Sequence, residues 1–396
     1  MKNLFKKLTL LILVISMVIF AIACDGESED IVQVTGTFNY QIMTGTRTND
    51  SGDEESYQYY KITGYQVSKE DTLKIEEGKF DEIDTKYREI TIPETHKGLP
   101  VEEIDASAFA NQLILTKVGI KNNIKTIGAG AFSGCTNLEH LDIPFVGKSA
   151  DATNSERLFG HLFGSGATNE GNTDITAKIH ARKNSVDGSD IIAGEEVTFK
   201  VPTSLKSVRV TEAEIITECA FYGMTTLKSI VFEKATEIES HAFYGCTSLQ
   251  KFDLSKIKNI YQYAFAGCNS LKKVNFDEAE VLELIDDKAF SGCVYLQSNS
   301  VSDDKDLLTL KFSDAIKEIR RGAFADCSQI KYLDLTNVEK VEDVAFSGCF
   351  SLKEVTLNNG AVYGDSVFKD CTSLKGDGIF NTENIDVNKL LGKTNN

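Results

Sequence analysis

The sequence predicts an α/β solenoid in which each repeat of about 22 residues contributes one short strand and one helical turn. Three observations predict it: a recurring phenylalanine, an apolar alternation after it, and a corner residue close to it. Successive phenylalanine anchors are 23, 89, 22, 22, 25, 34, 22 and 22 residues apart, so a repeat array with one long insertion is expected. The nine anchors are Phe109, Phe132, Phe221, Phe243, Phe265, Phe290, Phe324, Phe346 and Phe368.

The strand of each repeat is predicted by the residues that follow the anchor. A leucine or isoleucine stands six residues after every anchor, and positions nine and eleven are mostly apolar, as in Ile230 and Phe232 or Val355 and Leu357. An alternation with a period of two is typical of a short strand with one buried face. The outward side chains of that strand are therefore those at positions eight and ten.

The helical turn and its end are predicted by the residues around the anchor. The segment before each phenylalanine is too short for a full helix and too polar for a strand, so one helical turn is expected. Two residues after the anchor the chain has Gly, Asn or Asp in all nine repeats, and these residues tolerate the left-handed backbone region in which helices end. No such unit buries its own apolar side, so neighbouring repeats must stack and the phenylalanines must form a continuous core.

The first residues have the pattern of a signal peptide. Lys2, Lys6 and Lys7 precede an apolar run over 8–23, which is shorter than the roughly 20 residues that a membrane-spanning helix needs. The run ends Ala21-Ile22-Ala23-Cys24, which resembles the lipobox of bacterial lipoproteins. That resemblance implies cleavage before Cys24 and attachment of a lipid to it; the alternative is an ordinary secretory signal with an accidental cysteine.

The remaining organisation follows from composition. Residues 24–56 are acidic and rich in Gly, Ser and Thr, which predicts a tether, although 31–34 and 37–42 could pair as short strands. An N-terminal cap is expected over 57–98, the solenoid over 99–380 with its insertion at 145–204, and a C-terminal tail over 381–396. Removal of residues 1–23, which hold three lysines and no acid, changes the formal charge from −17 to −20.

Three segments carry a close family resemblance. IPETHKGLPVEEIDASAF (92–109), IKTIGAGAFSGCTNLEHLDIP (124–144) and VPTSLKSV (201–208) resemble the BspA-like leucine-rich repeat surface proteins of bacteria, and LFGHLFGSG (158–166) resembles an insertion between their early repeats. The resemblance implies a right-handed leucine-rich repeat solenoid with one continuous sheet, a cell-surface location, and roles in binding and adhesion. It implies no particular site residue.

Seven of the nine cysteines stand three residues after an anchor. Equivalent side chains of a solenoid point the same way, an odd number cannot pair completely, and Met224 takes the same place in one repeat. We therefore expect buried free thiols in this column, with disulfides as the alternative.

Enzymatic and nucleic-acid functions are not expected. Acidic residues outnumber basic ones 59 to 42, so the positive footprint of a nucleic-acid binder is missing. The five histidines are scattered, and no zinc-protease, nucleophile-elbow, phosphate-loop or cysteine–histidine metal pattern occurs. The sequence therefore predicts a non-catalytic protein without cofactor or metal.

The candidate binding face is the outward side of the predicted strands. A solvated polar face is the alternative for any one of its residues. A second candidate is the insertion at 145–204 with Phe159 and Phe163, for which a hairpin flap with locally buried phenylalanines is the alternative. The candidate face is represented by Lys251, Asp253, Lys273, Asn275, Thr309, Lys311, Tyr332 and Asp334.

The predicted function is that of a lipid-anchored protein at a bacterial cell surface, held to the membrane by its lipid. Its expected work is to bind a protein or polysaccharide, in adhesion to a host or between cells. One alternative is a structural envelope lipoprotein that scaffolds other surface proteins. Another is an accessory protein of glycan or peptide degradation.

Overall fold

The computed structural model describes residues 37–167, 170–182, 191–297, 309–383 and 385–393. The predicted signal peptide and Cys24 lie outside these residues. The described chain is a β-solenoid, as the repeat predicts. The strands are β1 (Thr37–Thr48), β2 (Glu54–Gln66), β3 (Glu89–Thr91), β4 (Thr95–His96), β5 (Leu99–Ile104), β6 (Lys117–Gly119), β7 (Thr126–Ile127), β8 (His140–Ile143), β9 (Asn172–Arg182), β10 (Ile191–Pro202), β11 (Ser207–Val210), β12 (Ile215–Ile216), β13 (Ser229–Phe232), β14 (Glu237–Ile238), β15 (Lys251–Phe252), β16 (Asn259–Ile260), β17 (Lys273–Val274), β18 (Leu284–Ile285), β19 (Thr309–Lys311), β20 (Glu318–Ile319), β21 (Tyr332–Asp334), β22 (Lys340–Val341), β23 (Glu354–Thr356), β24 (Val362–Tyr363) and β25 (Ile379–Phe380).

Two parallel sheets run along the solenoid. The first, here called the front sheet, has the order β3-β6-β8-β11-β13-β15-β17 and continues as β19-β21-β23-β25. Its two parts meet where the Ser313 N–H donates to the Phe276 carbonyl at 3.0 Å. The rear sheet has the order β12-β14-β16-β18-β20-β22-β24. The front-sheet strands are those that the apolar alternation predicts, and their positions nine and eleven are mostly buried.

The N-terminal end of the array is closed by a β-hairpin. β1 and β2 pair antiparallel, and β2 pairs parallel with β5. Residues 37–56, which we assigned to the tether, therefore belong to this hairpin, so that part of the prediction is wrong. The large apolar side chains of the hairpin explain the difference. Tyr60 and Ile62 are buried in the core, and the ring centroids of Phe38 and the anchor Phe109 are 6.2 Å apart.

The C-terminal end is covered by part of the predicted tail. The helix Val387–Leu390 starts at Asp386, whose side chain accepts from the Asn388 N–H. The Phe368 N–H donates to the Leu390 carbonyl at 2.9 Å, and Leu390 is buried. The tail thus accepts the hydrogen bond from the last anchor's N–H that a following repeat would otherwise accept.

The predicted helical turn before each anchor is wrong. The α-helices of the described chain are α1 (Lys69–Glu76), α2 (Thr85–Arg88) and α3 (Val387–Leu390), and the 3₁₀ turns are Phe80–Glu82, Asn154–Arg157, Phe159–Leu162, Phe276–Glu278 and Gly376–Gly378. None of them lies in the segments before the nine anchors, all of which the structure describes. These segments are tight turns, as in Tyr244 N–H to His241 carbonyl at 3.1 Å.

Bonds between repeats replace the helical bonds. The Phe221 N–H donates to the Ala242 carbonyl of the next repeat at 2.8 Å, and the Gly223 N–H donates to the Tyr244 carbonyl at 2.7 Å. The same pair of bonds recurs along the array, for example from Phe243 and from Phe265. We call one turn of the solenoid a rung. Because each of these backbone N–H groups donates to a neighbouring rung, it is not available for the α-helical bond to the carbonyl four residues before it.

Two left-handed residues in each repeat also exclude a helix. The residue two after the anchor has φ between 59° and 74° in all nine repeats, which confirms the predicted corner. A second column, two residues before the anchor, has φ between 51° and 64° and was not predicted. Its members are mostly not glycine; they include His241, Tyr263 and even the β-branched Val344. The bonds between rungs hold these residues in a conformation that costs roughly 1–2 kcal/mol each.

The core is a column of phenylalanine rings. All nine anchors are at most 1% exposed. Neighbouring rings are nearly parallel, with centroids 4.9 Å apart between Phe243 and Phe265 and 5.0 Å apart between Phe265 and Phe290. Each buried ring contributes about 2–3 kcal/mol by the hydrophobic effect.

Replacing the corner residue Gly267 with valine should lower the free energy of unfolding by about 1 kcal/mol or more. A Cβ atom at Gly267 would meet the Gly245 backbone at an ordinary 3.8 Å, so backbone strain at φ +74° is the cause. Urea unfolding of Gly267→Val and of Gly267→Asn measures this, because asparagine occupies the same corner at Asn111. Equal losses for the two variants would contradict the left-handed requirement.

The long insertion hides a tenth rung. Leu205, Ser207 and Val208 take the places that Leu227, Ser229 and Ile230 have in the following repeat, and β11 pairs with both β8 and β13. Phe163 and Phe159 share the place of the anchor in this rung. Leu162, next to Phe163, accepts from the Phe132 N–H at 2.8 Å, and the Phe159 N–H donates to the Ala220 carbonyl of the following rung at 2.9 Å. The hairpin β9–β10 interrupts the rung between these parts, which is why the anchor spacing did not reveal it.

Candidate ligand-binding face

The front sheet places six of the eight candidate residues on paired strands, and Asp253 and Asn275 directly follow β15 and β17. Ser229, Lys251 and Lys273 stand opposite one another on β13, β15 and β17. Thr309 pairs with Tyr332, and Lys311 pairs with Asp334. The four residues Lys251, Asp253, Lys273 and Lys311 are exposed, and the other four are half-buried. Their role in binding stays a prediction.

A depression of about 460 Å³ lies over β13, β15 and β17. Lys251, Asp253, Lys273 and Asn275 line it. Its floor is apolar, because Phe252 is buried beneath it, and Val231 is 52% exposed at its side. An apolar floor with polar groups around it is a usual form of binding site.

Two polar groups of this depression hold the backbone. Asp253 accepts from the Ser255 N–H at 2.9 Å and from the Asn275 side chain at 2.9 Å. Asn275 in turn accepts from the Leu254 N–H at 2.8 Å. The Ser255 N–H, together with the Asn275 amide, lowers the pKa of Asp253, so this carboxylate stays charged. Asp253 is therefore a poor candidate for proton transfer.

The ammonium groups of the depression are differently placed. Among the described residues, no carboxylate lies within 4.0 Å of the ammonium groups of Lys251 and Lys273. These two charges are the polar groups that a ligand can reach without breaking a structural bond.

A second depression of about 450 Å³ adjoins β19 and β21 and is mainly acidic. Lys311 and Asp334 line it together with Asp277, Glu280 and Asp314. Asp334 accepts from the Thr336 N–H at 3.0 Å and from the Thr336 hydroxyl at 2.7 Å. Asp334 thus repeats the structural role of Asp253.

A third depression of about 430 Å³ lies beside the tenth rung, in a region that the sequence reasoning missed. Arg209 and Asp142 line it, and Arg209 forms an ion pair with Glu233. Recognition of the phrase SLKSV (204–208) as a repeat strand is the signal that could have placed Arg209 on the outward face.

The insertion does not offer its phenylalanines to a ligand. Phe159 and Phe163 are fully buried, with ring centroids 5.4 Å apart, and Phe159 packs on Phe221 at 4.9 Å. The local-core alternative is therefore the one that fits. His161 between them is buried, its Nε2 lies 3.1 Å from the Ile127 carbonyl, and burial lowers the pKa of this histidine.

The cysteine column is a row of buried thiols without disulfides among the described residues. Each of the seven donates to the carbonyl of the preceding repeat's phenylalanine, from 3.0 Å for Cys135 to 3.4 Å for Cys349. Burial raises the pKa of Cys135 to about 12 and raises that of Cys268 well above its ordinary value. Because the thiolate is the reactive form and burial keeps reagents out, Cys135 and Cys268 are expected to react slowly in the folded chain.

Within the described ranges, no three His, Cys, Asp or Glu side chains are grouped in a way that would hold a metal ion. No helix in that part of the chain is long and apolar enough to cross a bilayer.

Comparison with known proteins identifies the repeat. The profile of the BspA type leucine rich repeat region matches residues 53–152, 195–308 and 296–388 in six copies. Comparison with curated proteins gives no match.

Solved structures give matches to leucine-rich repeat proteins at low identity. A protein of Bacteroides ovatus is 18% identical, with 88% of this chain and 94% of that chain covered and a TM-score of 0.28. One of T. pallidum is 18% identical, with 85% and 89% covered and a TM-score of 0.22. One of Eubacterium ventriosum is 14% identical, with 84% and 95% covered and a TM-score of 0.34. The profile match covers most of the sequence, and the chain belongs to the BspA-type leucine-rich repeat family.

Proposed function

We propose that this protein binds an extended protein segment or a polymer at the bacterial cell surface, through the outward side of the front sheet and without chemistry on the ligand. The observation that carries the proposal is the depression over β13, β15 and β17. It combines the exposed Val231 and an apolar floor with Lys251 and Lys273, whose charges are available. In-register strands repeat this surface along the array, which suits an elongated ligand.

The absence of chemistry is supported by the state of the reactive groups. Leucine-rich repeat solenoids typically bind rather than catalyse. Here Asp253 is held by the Ser255 N–H and the Asn275 side chain, and the described thiols are buried. General acid–base catalysis needs a group whose pKa lies near the working pH and whose protons are accessible.

The lipid anchor is proposed from the sequence. Cys24 follows a basic and then apolar leader, in the manner of a bacterial lipoprotein. With a formal charge of −20 after cleavage, the protein gains nothing from an anionic membrane surface, so the lipid itself would have to hold it.

A structural role in the envelope is the second candidate. Backbone hydrogen bonds join neighbouring rungs both in the front sheet and in the turns around the anchors. Such bonds on two sides favour a stiff array, which a spacer between other surface proteins would need. This role would need no ligand in the depression, and that difference separates the two candidates.

The binding proposal is tested with the soluble form that starts at residue 25, on an array of extracellular proteins and polysaccharides. Val231→Asp should weaken capture of the ligand at least tenfold, because it places a charge beside the apolar floor. Val362→Asp is the matched control, since Val362 is 66% exposed on the rear sheet. In cells, Cys24→Ala should move the protein into the medium.

Several outcomes would contradict the proposal. Capture equally weakened by both valine variants would exclude the front sheet as the site. No capture above background, with a leaky envelope after deletion of the gene, would favour the structural role. Turnover of any arrayed substrate would refute the non-catalytic reading, and retention of Cys24→Ala in the membrane fraction would refute the anchor.

A further inference from the structure

We infer that lysines at the starting edge of the front sheet form a linear site for an anionic polysaccharide. This inference rests on the proposed binding function and names the class of ligand.

The lysines belong to two adjacent columns of the repeat. Lys228 and Lys272 stand seven residues after their anchors, Lys206 takes the same place directly before β11, and Lys251 and Lys273 stand eight residues after their anchors. We call these five residues the lysine stripe. They occupy the four successive rungs that contain β11, β13, β15 and β17.

Backbone bonds fix the order of the stripe. The Lys228 N–H donates to the Lys206 carbonyl at 2.8 Å. The Gln250 N–H donates to the Lys228 carbonyl at 3.1 Å, and the Lys272 N–H donates to the Gln250 carbonyl at 2.9 Å. The backbone that carries these lysines is therefore held by hydrogen bonds between rungs and is not a flexible loop.

The first column continues beyond the stripe. Lys331 and Lys353 lie on adjacent rungs, joined by a bond of 2.8 Å from the Lys353 N–H to the Lys331 carbonyl. Lys375 holds the same place in the last repeat. The column of lysines therefore extends beyond the depression over β13, β15 and β17, so a long ligand could contact more of the surface than this depression alone.

The stripe is accessible and mostly uncompensated. All five lysines are exposed. Lys206 pairs with Glu139 at 2.7 Å, and Lys272 lies 5.5 Å from the centre of the Tyr295 ring. Among the described residues, no carboxylate is within ion-pair distance of Lys228, Lys251 or Lys273. In a chain of formal charge −17, this is a local concentration of positive charge.

The spacing suits a thin linear polyanion. Neighbouring strands lie about 4.8 Å apart, so four rungs span about 15 Å and present five positive charges in a row. A polysaccharide with a carboxylate or sulfate on each or every second sugar carries its charges in a comparable single line. Successive acidic groups can therefore meet successive lysines, and binding adds up along the chain.

The opposite edge of the sheet disfavours a nucleic acid. Glu233, Asp253 and Asp277 stand near the ends of β13, β15 and β17, and Asp142 stands on the neighbouring β8, so these carboxylates form a row. Lys251 and Asp253 are two residues apart, and Lys228 and Glu233 are five residues apart. The two rows are therefore separated by about 7–16 Å, which is on the order of the Debye length of about 8 Å at physiological salt. A double helix is wider than this separation, so its phosphates would overhang the acidic row, whereas a single sugar chain fits beside it.

The test uses the form that starts at residue 25 and measures binding to heparin and to polygalacturonate at low and at physiological salt. Neutral dextran and duplex DNA are the comparison probes. The stripe variant carries Lys228→Gln, Lys251→Gln and Lys273→Gln. The control variant carries Lys258→Gln, Lys288→Gln and Lys369→Gln, which remove the same charge from exposed positions away from the front sheet.

We expect both acidic polysaccharides to bind in a salt-dependent way and dextran not to bind. The stripe variant should bind the acidic polysaccharides about tenfold more weakly or worse, and the control variant should bind them as the natural sequence does. Equal binding by the stripe and control variants would overturn the inference, as would the absence of polysaccharide binding at low salt. Stripe-dependent binding of DNA at least as tight as that of heparin would assign the site to nucleic acid instead. If neither acidic polysaccharide binds but another ligand is captured and is lost in Val231→Asp, this inference is overturned and the proposed function stays in place.

Discussion

Replacing Phe265 with alanine should lower the free energy of unfolding by about 3–5 kcal/mol. The Phe265 ring is fully buried between Phe243 and Phe290, and Phe252 meets it edge-on at 4.9 Å. Its loss removes contacts in two neighbouring rungs, which cannot approach each other because the sheets and turn bonds fix their spacing.

Urea unfolding followed by circular dichroism measures this effect. Phe350→Ala is the matched control, because Phe350 is 49% exposed and its loss should change stability by about 0.5 kcal/mol or less. In a repeat array the central variant should also broaden the transition, since the two halves lose their coupling. A Phe265 loss no larger than that of Phe350 would contradict the continuous core.

Alkaline pH should destabilise the protein steeply through the buried thiols. A thiol in the unfolded chain titrates near pH 8.5, whereas burial raises the pKa of Cys135 and Cys219 to about 12 and also raises the pKa of Cys268, Cys293 and Cys327 well above its ordinary value. The folded state then keeps protons that the unfolded state releases. The stabilising contribution is complete below pH 8.5 and is lost as the pH rises toward 12, by up to about 1.4 kcal/mol per pH unit for each thiol.

The measurement is the urea midpoint between pH 7.5 and 9.5, below the range in which tyrosines titrate. A variant with Cys268→Ser, Cys293→Ser and Cys327→Ser is the control, because a hydroxyl does not titrate there and can still donate to the phenylalanine carbonyl. Its midpoint should fall less steeply with pH than that of the natural sequence. Parallel slopes would show that the column does not keep its protons.

The parts of the fold that the sequence predicts are those in which one residue type meets one physical demand. An anchor such as Phe265 must fill the core, and a corner such as Gly267 must adopt a positive φ, so both columns are visible in the sequence. The column that contains Tyr263 and Val344 has the same backbone demand without a uniform residue type. There the bonds between rungs impose the conformation, and such bonds leave no mark on composition.

The candidate site was predicted in the same partial way. Alternation along the strand placed Lys251 and Asp253 on the outward face. It did not show that the carboxylate of Asp253 also accepts from the Asn275 side chain, because that hydrogen bond joins two rungs. It also missed Arg209, since the hairpin β9–β10 separates its strand from the anchor Phe163.

The position of that hairpin has a consequence for how such arrays vary. Its two ends are tied together, with the Lys200 N–H on the Gly164 carbonyl at 2.7 Å and the Thr203 N–H on the Gly171 carbonyl at 3.0 Å. The front sheet passes from β8 to β11 without a gap. The solenoid can therefore carry, exchange or lose a large side domain at this seam while its rung count and its pitch stay the same.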